Sequence, residues 1–334
     1  MSSMNRQFLL NARPVGEVKE TDLLYAETAM PAVGENQALF QVEYIAVEPA
    51  MRGWMEDRAS YVAPLKIGDL MRASGVASVI ESNNADYPVG MRVSGMFGMQ
   101  EFAVTDGESY QLTTVEPDID SPTHLGVLGL TGMTAYCGMK AIGKPTEGDT
   151  VFVSGAAGAT GSTASQLAKL AGCRVIGTAG SAQKCEWLVD ELGLDGAINY
   201  KTEDVAARVR ELCPKGINVF WDNVGGEILD VALNNLAKQA RIVLCGGISR
   251  YNATGPLSGP ANYFNLIYRN ASMTGFVLSD YSYLFPEAVQ TLSGYLRDGS
   301  MQHAEDILVG FEKTPEAIIR LFRGANTGKQ MVKV

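Results

Sequence analysis

The residues of this chain whose type and spacing point to chemistry are three glycines, Gly155, Gly158 and Gly161, set three apart. Thr150-Val-Phe-Val153 precedes them, a β-branched and aromatic run that reads as a buried strand. Beyond them Ala164, Leu167, Ala168 and Ala171 recur at helical spacing. Strand, glycine turn and helix in that order can hold an anion, because the first N–H groups of a helix have no partner within it and carry partial positive charge. Gly158 lets a pyrophosphate approach the backbone, and Gly161 lets the helix pack on the strand. The dinucleotide pattern G-x-G-x-x-G is met in part, with Ala156 at its first glycine, so spacing alone leaves a plain strand-to-helix turn open.

The next strand favours the dinucleotide. Arg174-Val-Ile-Gly-Thr-Ala-Gly180 ends where an NAD-selective site places an Asp or Glu for the ribose 2′-hydroxyl. Here Thr178, Ala179, Gly180 and Ser181 stand there, and Lys184 follows. A hydroxyl and a cation in place of an acid suit a 2′-phosphate, which favours NADP(H) over NAD(H). The alternative is an ordinary solvated helix lysine at 184, and it loses ground because the acid is missing.

The elements that position these residues fill a chain of 334 residues, enough for two domains with separate cores. Hydrophobic content of 46% and charged content of 19% fit a soluble globular protein. The net charge of −10 argues against nucleic acid or an anionic membrane surface as partner. No apolar run approaches the roughly 20 residues that span a bilayer, and the first residues lack a signal-peptide core. The five cysteines, Cys137, Cys173, Cys185, Cys213 and Cys245, are scattered without a C-x-x-C pair, as in reduced cytoplasmic proteins. Cys185, beside Lys184, is read as inert.

Residues 1–120 read as strands without long helices between them, such as 39–47 and 92–97, punctuated by Pro31, Gly34, Pro88 and Gly90. They suggest a partly open barrel. Residues 125–140 are small and apolar and read as a helix whose glycines demand close packing. From Thr150 strands at 150–154, 174–179, 196–200, 217–222, 241–246 and 271–278 alternate with helices at 184–192, 204–212 and 227–236, which predicts a doubly wound parallel sheet. Residues 251–270 read as a long functional loop, 284–296 and 315–323 as helices, and Met331–Val334 as a strand returning to the first domain. The expected division is 1–124 with 305–334, and 125–304.

With these pieces in place the chain resembles the zinc-independent medium-chain dehydrogenase/reductases. Within them it is most similar to the group of prostaglandin reductases, plant double-bond reductases and bacterial curcumin reductases. The resemblance runs nearly the full length, through Glu48-Pro-Ala-Met-Arg-Gly-Trp-Met55, Gly129-Leu-Thr-Gly-Met-Thr-Ala-Tyr136 and Gly155–Gly161. It continues in Asp222-Asn-Val-Gly-Gly226, Cys245-Gly-Gly-Ile-Ser-Arg-Tyr-Asn252, Gly275-Phe-Val-Leu278 and Asn326-Thr-Gly-Lys329. It implies an α/β fold, a GroES-like partly open β-barrel domain with a doubly wound Rossmann domain, commonly as a homodimer. It also implies NADPH-dependent reduction of the carbon–carbon double bond of small α,β-unsaturated ketones or aldehydes. By motif position Gly158, Ala159, Thr160 and Gly161 hold the pyrophosphate, and Lys184 and Tyr200, with Ser181 beside them, the 2′-phosphate. Asn223, the loop of Cys245, Gly246, Gly247, Ile248, Ser249, Arg250 and Tyr251, then Phe276, Val277 and Leu278, and Asn326 line the rest of the cofactor, with Met133 and Thr134 near the nicotinamide.

A zinc site needs about three or four clustered ligands, and the chain has two histidines, His124 and His303, and no clustered cysteines, so no metal is expected. Without a metal, hydrogen-bond donors must stabilise the enolate oxygen left by hydride addition. Tyr251, after the fifth strand, is the candidate donor; packing against the cofactor is the equally open alternative. Met51, Arg52 and Trp54 are expected on the barrel side of the substrate cleft, with a structural salt bridge as the other role for Arg52. Tyr268 is a second pocket candidate or a dimer contact. Many relatives carry a tyrosine where this chain has Ala50, so no hydroxyl acts from that position. A quinone reductase with the same hydride donor, and a non-catalytic NADPH-binding sensor or scaffold, are the competing readings.

Overall fold

A computed structural model of the chain describes residues 4–58, 60–108 and 110–334. It divides into two compact units, Met1–Leu125 with Glu305–Val334, and Gly126–Ala304.

The first unit is built on the strand Ala38–Ala46. Along one edge it pairs antiparallel with Gly75–Ser82. Its other edge is shared, Phe102–Thr105 pairing with residues 38–41 and Lys329–Lys333 with residues 44–46. One strand serving three neighbours, with register shifts near Leu39 and Val42, makes the sheet fork, as in a partly open barrel. Phe40, Ile45, Met51 and Phe97 share its core with Phe311, Ile318 and Val332 from the end of the chain. The C-terminal strand is therefore integral to this unit.

The second unit is a parallel sheet of six strands. In chain order these are β1 (Thr150–Val153), β2 (Arg174–Ala179), β3 (Gly196–Asn199), β4 (Ile217–Asp222), β5 (Leu236–Leu244) and β6 (Ser272–Gly275), in the spatial order β3-β2-β1-β4-β5-β6. Strand residues alternate between faces. Val151, Val153, Val175, Val219, Trp221 and Val243 lie on one side, with Ala164 and Ala168 of α1 (Ala159–Leu170) and Leu188 of α2 (Ala182–Asp190). Phe152, Ile176, Ile198, Phe220 and Ile242 lie on the other, with Val209 of α3 (Val205–Leu212) and Leu229 and Leu233 of α4 (Gly226–Asn234). Both faces are covered, which is why the strands read as unbroken apolar runs.

Several boundaries differ from the sequence reading. β5 begins five residues early, where Lys238 and Gln239 hide its strand character, and Cys245 and Gly246 leave it to bond the Asp222 carbonyl at 2.9 and 3.0 Å. β6 stops at Gly275, and Leu278 opens a 3₁₀ turn. The supposed loop 251–270 contains a helix at Asn265–Arg269. The apolar stretch 125–140 starts at the end of a 3₁₀ turn, Ser121–Leu125, becomes α-helical only at Leu130 and passes into a π-helical turn at Met139–Gly143, ended by Lys144 with φ of 43°. Its close packing is real: a Cβ on Gly138 would lie 2.6 Å from the Trp221 ring.

Candidate active site

Strand order reverses between β1 and β4, and there the turn 154–161 is built. Gly155 has φ of 59°, a conformation that disfavours side chains. Its N–H reaches Thr178 Oγ1 (3.1 Å), and the Ala156 N–H the Thr178 carbonyl (2.9 Å), fastening the turn to β2. Ala156 fits where the dinucleotide pattern has glycine because Gly177 faces it without a side chain; a Cβ there would stand 2.6 Å from that of Ala156. Gly158 is the N-cap of α1, with no side chain capping the helix. Gly161 is pressed on the turn, a Cβ there falling 2.3 Å from the Gly155 carbonyl oxygen. The first N–H groups of a 12-residue helix thus meet a turn with no side-chain cap and little bulk.

At the end of β2, Ser181 caps α2 by accepting the Lys184 N–H (3.3 Å). The Tyr200 N–H reaches the Ala179 carbonyl (3.1 Å), and a Cβ on Gly180 would lie 2.7 Å from the Tyr200 hydroxyl. The fold thus brings Ser181, Lys184 and Tyr200 to one strand end, with no carboxylate among residues 178–184.

A tight lattice links the ends of β1, β4 and β5. The Ser154 hydroxyl donates to Asp222 Oδ1 (2.8 Å), which also accepts the Val224 (3.0 Å) and Gly225 (2.9 Å) N–H groups. Asn223 is held at both ends of its amide: Oδ1 accepts from Trp221 Nε1 (3.0 Å), and Nδ2 donates to the Ser154 carbonyl (2.7 Å). The Ile248 N–H bonds the Asn223 carbonyl (3.1 Å), and the Ser249 hydroxyl the Val224 carbonyl (2.6 Å). Asp222 is fully buried, and among the described residues its Oδ2 has no partner. Burial pushes its carboxyl above the ordinary range, against the pull of its three donors. The neighbouring Cys245 thiol is pushed up to about 12 by burial and by Asp222, and burial also raises Cys185, so neither is an activated nucleophile.

Tyr251 ends a short helix, Ile248–Tyr251, beyond β5, and its phenol oxygen accepts the Gly247 N–H at 3.2 Å. That bond closes the loop Gly246–Tyr251, with Arg250 N–H on the Gly247 carbonyl (2.8 Å). Phe276 lies edge-on to Trp221, and Val277 leads into the turn at Leu278, which packs in one cluster with Met133. Thr134 donates its hydroxyl back to the Leu130 carbonyl (2.6 Å).

In the first unit the sequence candidates are largely committed internally. Arg52 is buried, bonding Glu56 (3.1 Å) and the Pro14 carbonyl (3.0 Å), so the salt bridge expected of it is present. Trp54 is buried in the core, its indole N–H without a partner among the described residues. Asn326 donates to the Gly328 carbonyl (2.9 Å). Tyr268, in the second unit, is 76% exposed. Sequence reasoning missed the bonds that Ser154 and Trp221 make to Asp222 and Asn223, and the hold of Thr178 on the glycine turn; nothing local in the chain signals them. Among the described residues no group of three His, Cys, Asp or Glu side chains is arranged to hold a metal, and no helix is long and apolar enough to cross a membrane.

Residues 6–113 match the family described as the N-terminal domain of oxidoreductase, and residues 159–294 the one described as zinc-binding dehydrogenase. The NADPH-dependent curcumin reductase of Escherichia coli (strain K12) is 36% identical, over 99% of this chain and 97% of its own length. The NADP+-dependent 2-alkenal reductase of Nicotiana tabacum is also 36% identical, with the same coverage. The crystal structure of CurA from Vibrio vulnificus in complex with NADPH superposes with a TM-score of 0.93 at 37% identity, covering 98% of this chain and 99% of that one.

Proposed function

This chain belongs to the zinc-independent medium-chain dehydrogenase/reductases, and on that footing we propose that it reduces the carbon–carbon double bond of small α,β-unsaturated ketones or aldehydes with NADPH. What carries the reading is full-length similarity to two reductases of such names, on a chain whose strand ends fit the dinucleotide. The fit lies in the side-chain-free turn at Gly158 and the absence of any acid at the end of β2.

When bound, NADPH supplies the hydride. The chain's own part is to orient and to donate. The Gly158–Gly161 turn takes the pyrophosphate on backbone N–H groups, and Lys184 and Tyr200 take the 2′-phosphate. The Asp222–Ser154 lattice fixes the loops after β4 and β5, so that reacting groups meet a preorganised wall. Tyr251 is assigned as the donor to the carbonyl oxygen, where negative charge develops. Its half-buried place beyond β5, outside the carboxyl end of a parallel strand, supports that role. Arg52 holds its own helix, and Trp54 packs in the core beneath it.

A homodimer is part of the same reading. Among the described residues β6 is an open sheet edge, and Tyr263, Phe264, Ile267 and Tyr268, just before it, are all more than half exposed. That much exposed apolar surface beside an unpaired edge supports a second copy as its cover.

The test is to mix the purified protein with NADPH and an enone, an enal or a quinone, following nicotinamide absorbance and the mass of the product. A product heavier by two hydrogens at the alkene is expected. Oxidation with quinones alone, or tight NADPH binding with no turnover on any substrate, would overturn the assignment.

A further inference from the structure

We propose that Lys201 is a second cation for the adenosine 2′-phosphate and, with Lys184, sets the preference for NADPH over NADH; this rests on the cofactor reading given above. Nothing in the spacing of the chain points to it, since residues 200 and 201 of an extended strand would face opposite ways. The structure breaks that alternation. Asn199 Oδ1 accepts the Lys201 N–H (3.1 Å), an Asx-type turn that folds the chain directly after β3. As a result two consecutive side chains return to one point. A Cβ built on Gly180 would lie 2.7 Å from the Tyr200 hydroxyl and 3.3 Å from Lys201 Cε.

Gly180 follows the last residue of β2, where the ribose of a dinucleotide is read. Its missing side chain is what lets the phenol and the lysine stem lie over the strand end. Lys184 approaches the same end from the first turn of α2, behind the Ser181 cap. The nearest carboxylate in sequence, Glu203, is committed elsewhere: Oε1 accepts the Asn199 N–H (2.7 Å) and Oε2 pairs with Arg208 (2.9 Å). Among the described residues no ion pair joins Lys201 to an acid. Two ammonium groups and a phenol around an acid-free strand end form a site for a dianion, whereas a ribose hydroxyl gains nothing from the second charge.

The experiment uses the full-length protein without cofactor and measures binding of 2′,5′-ADP and 5′-AMP by calorimetry. Lys201→Met should weaken 2′,5′-ADP about fivefold, the scale of one partly exposed charge pair, and leave 5′-AMP unchanged. Lys201→Arg should restore most of the loss. Unchanged binding of 2′,5′-ADP to Lys201→Met, or an equal loss for both nucleotides, would overturn the proposal. Lys184→Ala separates the two levels. If it weakens 2′,5′-ADP while Lys201→Met does not, the role of Lys201 alone fails; if neither matters, the cofactor reading of this strand end fails with it.

Discussion

Ser154 and Asp222 face each other across the one place in the six-stranded sheet where strand order reverses, hydroxyl to carboxylate at 2.8 Å. Ser154 directly follows the strand before the glycine turn, and Asp222 ends the strand before the Asn223–Gly225 loop. One buried carboxyl therefore ties together the two backbone segments that the proposed function assigns to the dinucleotide.

The first consequence concerns stability against pH. Burial raises the Asp222 carboxyl above its ordinary 3.8, so the native state holds that proton more tightly than the unfolded chain. Stability from this group is full at low pH and is lost as pH rises from about 4 through the raised native value. The melting temperature of the natural protein should fall relative to Asp222→Asn across that window, by thermal unfolding at matched pH. Parallel curves would mean that Asp222 does not titrate there. Asp222→Ala, which strands one hydroxyl and two N–H groups, should cost about 3–5 kcal/mol.

Lys184→Ala should raise the Michaelis constant for NADPH by about tenfold, in line with a charge-assisted phosphate contact, and barely change that for NADH. Steady-state kinetics with each coenzyme provide the check. Equal effects on both would refute the assignment of Lys184 to the 2′-phosphate.

Tyr251→Phe separates two roles that coexist in one phenol. If the hydroxyl donates to the carbonyl oxygen, turnover of an enone should drop about 100- to 1,000-fold, with NADPH affinity nearly unchanged. If turnover stays at the natural level, Tyr251 is only the strap that accepts the Gly247 N–H.

Gly161→Ala places a methyl group 2.3 Å from the Gly155 carbonyl oxygen. The helix must shift, at about 1–3 kcal/mol, and the N–H groups shift with it. Both a lower melting temperature and a weaker NADPH complex, read by nicotinamide fluorescence, are expected. A variant that binds NADPH normally would show that the pyrophosphate does not sit on this turn.

Lys329 and Glu48 form an ion pair at 2.6 Å, each 3% exposed. Lys329→Met leaves a buried carboxylate alone and should destabilise by about 3–5 kcal/mol. Adding Glu48→Gln should recover much of that loss in denaturant unfolding. Failure of the double variant to recover would place the cost in packing instead.

The glycine spacing, the apolar runs and the acid missing after Thr178 were legible in the chain itself. Each is a local property: periodicity selects strand or helix within a window of about ten residues, and a turn without side chains is visible as glycine. The strand character of Met331–Val334 was legible as well, but not its neighbours: Lys329–Lys333 lies parallel to Glu305–Val309 and antiparallel to residues 44–46. Only the tertiary structure decided which polar groups meet. Glu48 finds Lys329 across 281 residues, Ser154 finds Asp222 across 68, and Lys201 returns to Gly180 through a turn closed by Asn199. Such pairings depend on sheet order and on the direction in which side chains leave a bent backbone. No window of sequence contains both partners with the geometry that joins them.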